Sequence, residues 1–292
     1  MSTHSTAYRN AIAQLTGAGG PFEIETVNGL RRYRNAPRTL REALDAGRAH
    51  GEAEFAIYEG ERWRFKRVFA EADAASAALA DRGIGAGDRV AIAMRNYPEW
   101  LAAFIAIADL GAVVVPLNSW GTAADIVFGL EDSGAGLVIC EQQRFDAVTA
   151  AAPALATSAV IARPADEDHP QSWSAFIAPH AGAAAPQGAG DAADTAMIMY
   201  TSGTSGKPKG AVSTGEAICQ SLLTMECAHI AAAMCNGETF AAMLERGHPP
   251  TALLGIPLFH NSGCHSQFLL NLRGGRRLVM MYKWDPARAL EL

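Results

Sequence analysis

The stretch GAGDRVAIAMRNYPEWLAAFIAIADLGAVVVPLN, from Gly85 to Asn118, holds two short apolar runs on either side of a helical pattern. The runs are VAIAM, at residues 90–94, and VVVP, at residues 113–116. Pro98 stands where the helical pattern begins, a position at which its missing N–H would be unpaired in any case. Because β-branched runs that alternate with helices are typical of strand–helix–strand units, this stretch predicts neighbouring strands of a parallel sheet.

The same alternation continues on both sides of this stretch. Upstream, we predict a hairpin that turns at Glu59-Gly60 and a helix from Val68 to Ala80 that ends at Gly83. Downstream, the pattern predicts a helix at 123–130, strands at 137–140, 196–200, 252–258 and 277–281, a long helix through Met225 and another through Leu272. The predicted fold class is therefore α/β, with two subdomains that each contain a parallel sheet.

A change in composition divides this pattern. Residues 164–190 are rich in Ala, Pro, Gly and Asp, with QSWSAFI as one apolar island, and we interpret them as a linker. The linker would separate a first α/β subdomain, residues 51–163, from a second one, residues 191–292. Residues 1–50 would form an N-terminal arm. With 49% hydrophobic and 18% charged residues, the chain has the composition of a folded globular protein with a large core.

The charge balance and the apolar segments argue against two classes of partner. The 24 basic and 30 acidic residues give a formal net charge of −6, and no basic run provides the footprint that a nucleic-acid backbone needs. The apolar stretch from Trp100 to Pro116 is broken by Asp109 and Gly111 before it could span a bilayer, and the N-terminus lacks a signal-peptide core. We therefore expect a soluble cytoplasmic protein without nucleic acid or a transmembrane segment; a homodimer stays open.

The cysteines show neither the paired spacings of zinc sites nor the density of a disulfide scaffold, and we interpret them as reduced thiols. They are Cys140, Cys219, Cys227, Cys235 and Cys264. His260, Cys264 and His265 suggest a metal site at first sight. However, ligands four residues apart require a helix, and Gly263 weakens a helix there. We therefore predict no metal ligands in this segment.

The chemistry is concentrated in YTSGTSGKPKGA, from Tyr200 to Ala211, which directly follows an apolar strand. Its three glycines, Gly203, Gly206 and Gly210, permit positive φ and close backbone approach, so that successive N–H groups can turn toward one anion. Hydroxyl groups add donors and lysines add positive charge, from Thr201, Ser202, Thr204, Ser205, Lys207 and Lys209. Because open α/β sheets bind ligands at the carboxyl ends of their strands, this segment predicts a polyphosphate site.

Other nucleotide and nucleophile motifs do not fit this segment. A Walker A loop continues with Ser or Thr after Gly-Lys, whereas Gly206-Lys207 is followed by Pro208. A nucleophile elbow requires Gly at the position of Lys207. The earlier alternating glycines are no dinucleotide fingerprint, because Asp88 stands where the last glycine belongs. The structural alternative is a surface loop of ordinary turn residues, since Gly, Ser and Lys are common there.

The segment resembles the phosphate-binding signature YTSGTTGxPKG of the adenylate-forming superfamily, which includes acyl-CoA synthetases, firefly luciferases and the adenylation domains of peptide synthetases. Ser205 replaces the second Thr of the pair and keeps the hydroxyl. Further segments resemble this superfamily in the same order, namely residues 85–118, IPLFHNSG at residues 256–263 and WDPARALEL at residues 284–292. The resemblance covers nearly the whole chain and implies the large N-terminal domain of these enzymes, with its two parallel-sheet α/β subdomains.

The resemblance implies a two-step reaction. A carboxylate attacks the α-phosphate of ATP to give acyl-adenylate and pyrophosphate, and a thiol, here coenzyme A, then takes the acyl group. By the same resemblance, residues 201–207 with Lys209 and Gly210 hold the phosphates together with a magnesium ion, and Lys209 and Thr204 carry catalysis. Positioning and charge neutralisation are what phosphoryl chemistry needs most. His260 matches a position that lines the acid site; its structural alternative is a histidine that ends a strand in the core.

A fatty acid is the first choice of substrate. LTGAGGPFEIETVNGL, from Leu15 to Leu30, and the ending MYKWDP look more like acyl-CoA synthetases than like peptide-synthetase modules. An aryl or steroid acid is the close alternative. The superfamily's later segments for adenine, ribose and the lysine-bearing C-terminal domain do not occur in residues 1–292, so we expect a truncated N-terminal part. The alternative from another class is a non-catalytic remnant that binds nucleotide.

We predict that the 292-residue chain alone has little or no ligase activity, because the segments that complete the superfamily's site are absent from it. The measurement is ATP–pyrophosphate exchange with a panel of carboxylic acids, beside an intact acyl-CoA ligase as the positive control. Exchange at the rate of the intact ligase would contradict the prediction.

Overall fold

The alternating pattern forms strands and helices in the computed structural model, which describes residues 3–153, 158–186, 188, 190–201 and 208–292. The strands are β1 (Ile24–Val27), β2 (Leu30–Tyr33), β3 (Glu54–Tyr58), β4 (Glu61–Arg64), β5 (Arg89–Ala93), β6 (Val113–Pro116), β7 (Leu137–Glu141), β8 (Ala159–Ala162), β9 (Thr195–Thr201), β10 (Lys209–Thr214), β11 (Thr251–Leu254) and β12 (Arg277–Met280). The helices are α1 (Thr3–Thr16), α2 (Leu40–Asp45), α3 (Phe65–Asp81), α4 (Pro98–Asp109), α5 (Ala123–Ser133), α6 (Gln142–Ala151), α7 (Trp173–Ile177), α8 (Gly215–Cys235), α9 (Gly237–Glu245), α10 (Leu270–Arg273) and α11 (Pro286–Glu291). Short 3-10 turns lie at Ala46–His50 and Ala178–His180, and a π-helix covers Ser262–Leu269.

The larger sheet has six strands in the order β10-β9-β6-β5-β7-β8. Neighbours from β9 to β8 run parallel, and the edge strand β10 runs antiparallel to β9. Val90 of β5 lies between Val114 of β6 and Leu137 of β7. Val90 is fully buried, as are Ala91 and Ile92, because both faces of the sheet are covered. The structure confirms the parallel sheet predicted from residues 85–118.

The smaller sheet has four strands in the order β11-β12-β3-β4. Strands β11, β12 and β3 are parallel, whereas β3 and β4 form an antiparallel hairpin. The hairpin turns at Glu59 and Gly60, whose φ angles of 45° and 90° are both in the left-handed region. A two-residue hairpin turn matches the twist of its strands when both residues have positive φ, so the predicted turn is confirmed.

The predicted boundaries at residues 163 and 191 do not separate two sheets. Strands β9 and β10, which follow the linker, extend the larger sheet, while β3 and β4, which precede it, complete the smaller one. Within the linker, Trp173 and Phe176 of α7 are buried in the main core. Local composition could not reveal this arrangement, because strand pairing depends on which sheet edges meet in the folded chain.

Helix α4 lies between the two sheets and contacts β5, β6 and β3. All of its residues are buried, which explains why it is apolar on every side. Trp100 stacks on Phe104 with ring centroids 5.4 Å apart, and Phe268 of the π-helix meets both rings edge-on. This aromatic cluster joins the helix to the segment that follows β11.

The second half contains one strand that the sequence pattern did not predict. Strand β10 comes directly after the phosphate segment, where we expected a long helix. Helix α8 begins only at Gly215, with the Thr214 hydroxyl accepting a hydrogen bond from Ala217 N, and continues beyond Met225 to Cys235. The N-cap at Thr214 ends the strand and starts the helix, because it supplies an acceptor for one of the first free N–H groups.

The N-terminal arm packs on α8. Ala11 and Leu15 of α1 and Phe22 are buried against Leu223 and Cys227 of α8 in a small separate core. In the described residues, α8 has the length and hydropathy needed to cross a bilayer, and 33% of its most apolar window is buried. Core helices of soluble proteins meet the same criteria, so this property alone assigns no location.

Asp109, at the end of α4, is a buried carboxylate with 1% of its surface exposed. Its Oδ2 lies 3.5 Å from Arg48 Nη2, and Arg48 is also held by Asp73 at 2.7 Å and by Asp45 at 2.8 Å. Burial raises the pKa of Asp109 from 3.8 to about 7, although Arg41 and Arg48 act in the opposite direction. The native state therefore keeps a proton that the unfolded chain releases at lower pH.

We predict that the free energy of unfolding falls between about pH 4 and about pH 7, because the native state binds more protons than the unfolded state in that window. Asp109→Asn should remove this fall and gain stability relative to the wild type at pH 8 but not at pH 4. Urea unfolding at both pH values measures it. Asp168→Asn, at an exposed position, is the matched control. Equal effects of Asp109→Asn at the two pH values would exclude this role.

Candidate active site

A cleft of about 440 Å³ opens where β6 and β9 end. The carboxyl ends of neighbouring parallel strands are the usual ligand-binding edge of an α/β sheet. Side chains and backbone from four segments line the cleft: Leu117, Asn118, Asp125, Phe128, Gly129, Met199, Tyr200, Thr201, Pro208, Phe259, His260 and Asn261. The cleft therefore joins the segment after β6, the first turns of α5, both sides of the phosphate segment and the segment after β11.

The two ends of the phosphate segment lie beside each other at this cleft. Thr201, the last residue of β9, pairs with Lys209, the first residue of β10, and its hydroxyl lies 3.5 Å from the Lys209 carbonyl oxygen. The last residue of β9 and the first residue of β10 therefore lie side by side at one edge of the sheet. The predicted phosphate-binding residues Ser202, Gly203, Thr204, Ser205, Gly206 and Lys207 lie outside the described residues. Lys209 is exposed at the start of its strand.

Gly210 differs from the expectation that it turns its backbone toward an anion. It pairs with Tyr200 in the regular ladder of β9 and β10, and its φ lies outside the left-handed region. A Cβ atom at this position would lie 2.9 Å from Ile198 Cγ2. Glycine is needed here because a neighbouring side chain on the same sheet face fills the space, which is a packing reason.

Tyr200 anchors the start of the phosphate segment to α5. Its hydroxyl donates a hydrogen bond to Asp132 Oδ2 at 2.7 Å and lies 3.3 Å from the Gly129 carbonyl oxygen. Its ring meets Phe128 edge-on at 6.2 Å. Burial and the neighbouring Asp132 carboxylate both raise the pKa of Tyr200, so the phenol stays protonated and donates. Tyr200 thus holds the end of β9 in two ways, through the hydrogen bond of its hydroxyl and through the contact of its ring with Phe128.

His260 is exposed and lines the cleft together with Thr201 and Pro208. Its N–H donates to the Pro257 carbonyl oxygen at 3.1 Å, and its own carbonyl oxygen accepts from Cys264 N at 2.8 Å. Its ring contacts Phe259 with centroids 4.5 Å apart. This position at the cleft differs from that of a histidine enclosed in the core.

A tight turn before the π-helix gives His260 this position. A Cβ atom at Gly263 would lie 2.1 Å from the Pro257 carbonyl oxygen, so only glycine allows the chain to close here. The prediction that Gly263 prevents a helix here was wrong. Gly263 lies inside a π-helix, Ser262–Leu269, whose turns are about one residue wider than those of an α-helix. The tight approach is local, and the helix after it is held by packing of Phe268 and Leu269.

The helix does not bring metal ligands together. Cys264 and His265 are buried, whereas His260 is exposed at the cleft. Burial raises the pKa of Cys264 and lowers that of His265, which favours a neutral thiol and a neutral imidazole. Among the residues that the structure describes, no group of three His, Cys, Asp or Glu side chains is placed to hold a metal ion. The described cysteines are all free thiols, as the sequence predicted.

The contributions of β6 and α5 to the cleft were not predicted from the sequence. Asn118 follows β6 and accepts a hydrogen bond from Trp120 N at its Oδ1, 2.9 Å away. The rule that ligands bind at carboxyl ends of strands, applied to β9, could equally have identified Asn118 after β6. Phe128 and Asp125 gave no such signal, because their places depend on how α5 packs beside β9.

We predict that Tyr200→Phe lowers the free energy of unfolding by about 1 kcal/mol, because it removes a hydrogen bond and keeps the ring. It should also speed hydrogen exchange of the amides at the end of β9. Urea unfolding and exchange mass spectrometry measure the two effects. Tyr8→Phe, at an exposed position of α1, is the control. A Tyr200→Phe chain as stable as the control would show that the hydroxyl anchors nothing.

Comparison with known proteins agrees with the fold. The profile of the family described as AMP-binding enzyme matches residues 44–292. Long-chain-fatty-acid–CoA ligase FadD13 of Mycobacterium tuberculosis is 31% identical over 243 residues, which are 79% of this chain and 42% of the ligase. 4-Coumarate–CoA ligase 5 of Oryza sativa subsp. japonica is 30% identical over 80% of this chain and 40% of its own length. The chain thus spans about two-fifths of the length of these curated relatives.

A solved structure supports the same assignment. The N-terminal domain of FACL13 from Mycobacterium tuberculosis, in an inhibitor-bound crystal structure, superposes with a TM-score of 0.67 and 26% identity, covering 87% of this chain and 59% of that one. This confirms the predicted α/β class with parallel sheets of an N-terminal ligase domain. The chain therefore belongs to the AMP-binding enzyme family, the family of the adenylate-forming acyl-CoA ligases.

Proposed function

We propose that the chain is part of an acid–thiol ligase that activates a carboxylic acid with ATP and transfers the acyl group to coenzyme A. The observation that carries the proposal is the position of Thr201 and Pro208, at the two described ends of the phosphate segment, in one cleft with His260. A triphosphate bound to the segment and an acid beside His260 would meet inside this cleft. Relatives over most of this chain are CoA ligases by name.

The proposed chemistry has two displacements. In the first, a carboxylate oxygen of the acid bonds to the α-phosphorus of ATP, and pyrophosphate leaves. In the second, the thiol of coenzyme A loses its proton and bonds to the acyl carbon, and AMP leaves. The residues of this chain would contribute by holding the β- and γ-phosphates, with Lys209 and Thr204 closest to the reaction and the remaining residues of 201–210 around the phosphates.

The acid is proposed to be a fatty acid. Phe128, Met199 and Phe259 give the cleft apolar surface beside His260, which suits an acyl chain. An aryl acid is the second candidate, because 4-coumarate–CoA ligase 5 is nearly as similar to this chain as the fatty-acid ligase. Hydroxamate trapping of activated acids, with fatty and cinnamic acids in parallel, would distinguish the two candidates in a protein that contains the complete site.

Magnesium is proposed to arrive with ATP. The described residues offer no group of three acidic or other ligating side chains. Of the described acidic residues, Asp125 lines the cleft, and its Oδ2 already accepts hydrogen bonds from Thr122 N and Oγ1 at 2.8 Å. The part of the chain that the structure describes therefore provides no separate magnesium site, and the triphosphate oxygens would supply ligands themselves.

The expectations on partners and place remain part of this proposal. Small molecules, namely the acid, ATP and coenzyme A, are the proposed partners, and nucleic acid is not among them. A cytoplasmic location and a homodimer are working hypotheses that fractionation and analytical ultracentrifugation would test.

We predict that Lys209→Ala raises the dissociation constant for MgATP about 10- to 100-fold, because a charge-assisted contact contributes about 1.5 to 3 kcal/mol. Isothermal titration of a protein that contains the complete site measures this constant. Lys66→Ala is the matched control, since Lys66 lies on α3 and pairs with Glu52. Lys207→Ala should have the smaller effect of the two lysines in the phosphate segment. Unchanged affinity in Lys209→Ala would reject the assignment.

A further inference from the structure

The strand order of the larger sheet reverses at β5. The chain passes from β5 to β6 on one side and then to β7 on the other side of β5. In open α/β sheets the crevice at such a switch point is the usual ligand site. Here side chains of the protein occupy it: Arg95 follows β5, Glu141 ends β7, and Arg144 lies on α6.

These three charged side chains form a buried cluster around one carboxylate. The side chains of Arg95, Glu141 and Arg144 are 11%, 5% and 8% exposed. The Nε atoms of Arg95 and Arg144 lie 3.8 Å and 3.7 Å from Glu141 Oε1. Since two guanidinium groups share one carboxylate, the cluster carries a net positive charge. Burying three charged side chains costs desolvation free energy, so the cluster needs further contacts to stabilise it.

For Arg95, these further contacts come from the faces of two aromatic rings. Its guanidinium carbon lies 3.4 Å from the centroid of the Trp120 ring and 5.2 Å from that of Tyr282. Its Nε and Nη1 atoms are buried and donate no hydrogen bond to any described residue. The planar group is therefore held by stacking, a geometry that a lysine ammonium does not reproduce.

The stacked Trp120 belongs to a segment that borders two clefts. Leu117 and Asn118 line the cleft of about 440 Å³, while Trp120 lines a neighbouring cleft of about 70 Å³ together with Pro257. The Ser119 carbonyl oxygen accepts a hydrogen bond from Arg144. The buried cluster therefore contacts this segment at two residues, Ser119 and Trp120. Residues 117–120 are thus a shared wall whose position depends on the charges behind it.

We propose that Arg95 is a positioning residue that holds residues 117–120 in place by stacking on Trp120, and so shapes the cleft for the triphosphate. The inference deepens the proposed function and rests on it. Arg95 itself touches no substrate in this role. It acts through Trp120 and through Asn118, whose Oδ1 is tied to Trp120 N.

The chain offers a matched control for this contact. Arg67 stacks on Trp63 in the same manner, with 3.8 Å from its guanidinium carbon to the ring centroid, and neither residue lines the cleft. Arg95→Lys and Arg67→Lys therefore make the same chemical change at two places. With 5-fluorotryptophan, the five tryptophans give separate ¹⁹F signals, and Trp120→Leu identifies the signal of Trp120.

The first measurement is the ¹⁹F spectrum of the 292-residue chain. Arg95→Lys should shift or broaden the Trp120 signal and leave the Trp63 signal in place, whereas Arg67→Lys should do the reverse. The unmoved signals show that each variant has folded. A Trp120 signal that is unchanged in Arg95→Lys would overturn the proposal.

The second measurement is the dissociation constant for MgATP by isothermal titration. Arg95→Lys should raise it about fivefold, Trp120→Leu by a similar factor, and the double variant no further, because both substitutions remove one contact. Arg67→Lys should leave it unchanged. If Lys209→Ala weakens binding while Arg95→Lys does not, this inference fails and the proposed function stands. If the wild-type chain binds no MgATP, the proposed triphosphate site of this chain fails and the inference with it.

Discussion

Strand β9 lies parallel to β6, with Met197 opposite Val114, and the arrangement of the cleft follows from this pairing. It carries Tyr200 and Thr201 to the same edge of the sheet as Leu117 and Asn118. Parallel neighbours end on the same side of the sheet, so Thr201 at the end of β9 lies at the same edge as the residues that follow β6. The antiparallel return of β10 then brings Lys209 back to Thr201.

The second sheet is joined to this edge by buried groups of two kinds. Helix α4 contacts both sheets and contributes an apolar core on every side. At the carboxyl end of β8, Arg163 binds Glu61 through both Nη atoms, at 2.7 Å and 3.0 Å, and lies 3.0 Å from Glu99. Moving one partner away would leave an unpaired, partly buried charge. The ion pair therefore favours one relative position of the two sheets more than it adds to the free energy of unfolding.

The cleft depends on these tertiary contacts in different ways. His260 comes from the segment after β11 of the smaller sheet, and Tyr200 from the larger sheet, so their approach requires the two sheets to be locked together. Gly263 and Gly210 act locally, since each leaves room for a backbone or side-chain atom that a Cβ would displace. Two carboxylates act over a longer range. Asp132 accepts the hydrogen bond of Tyr200 at the end of β9, and Glu141 lies beside the two arginines that contact residues 119 and 120.

The apolar strand before the phosphate segment and the hairpin at Glu59-Gly60 could both be predicted from sequence, because periodicity and turn chemistry are local properties. His260 was singled out by the resemblance of residues 256–263, and the fold places it at the cleft, beyond the end of β11.

What only the tertiary structure decided is which strands share a sheet. Residues 164–190 resemble a linker by composition, yet strands on either side of them pair with each other, because hydrogen bonds between sheet edges are not recorded in nearby residues. For the same reason the sequence alone identified neither Asn118 and Phe128 as cleft residues nor Arg95 as the partner of Trp120. These contacts join segments that the pairing of β5, β6 and β9 holds side by side.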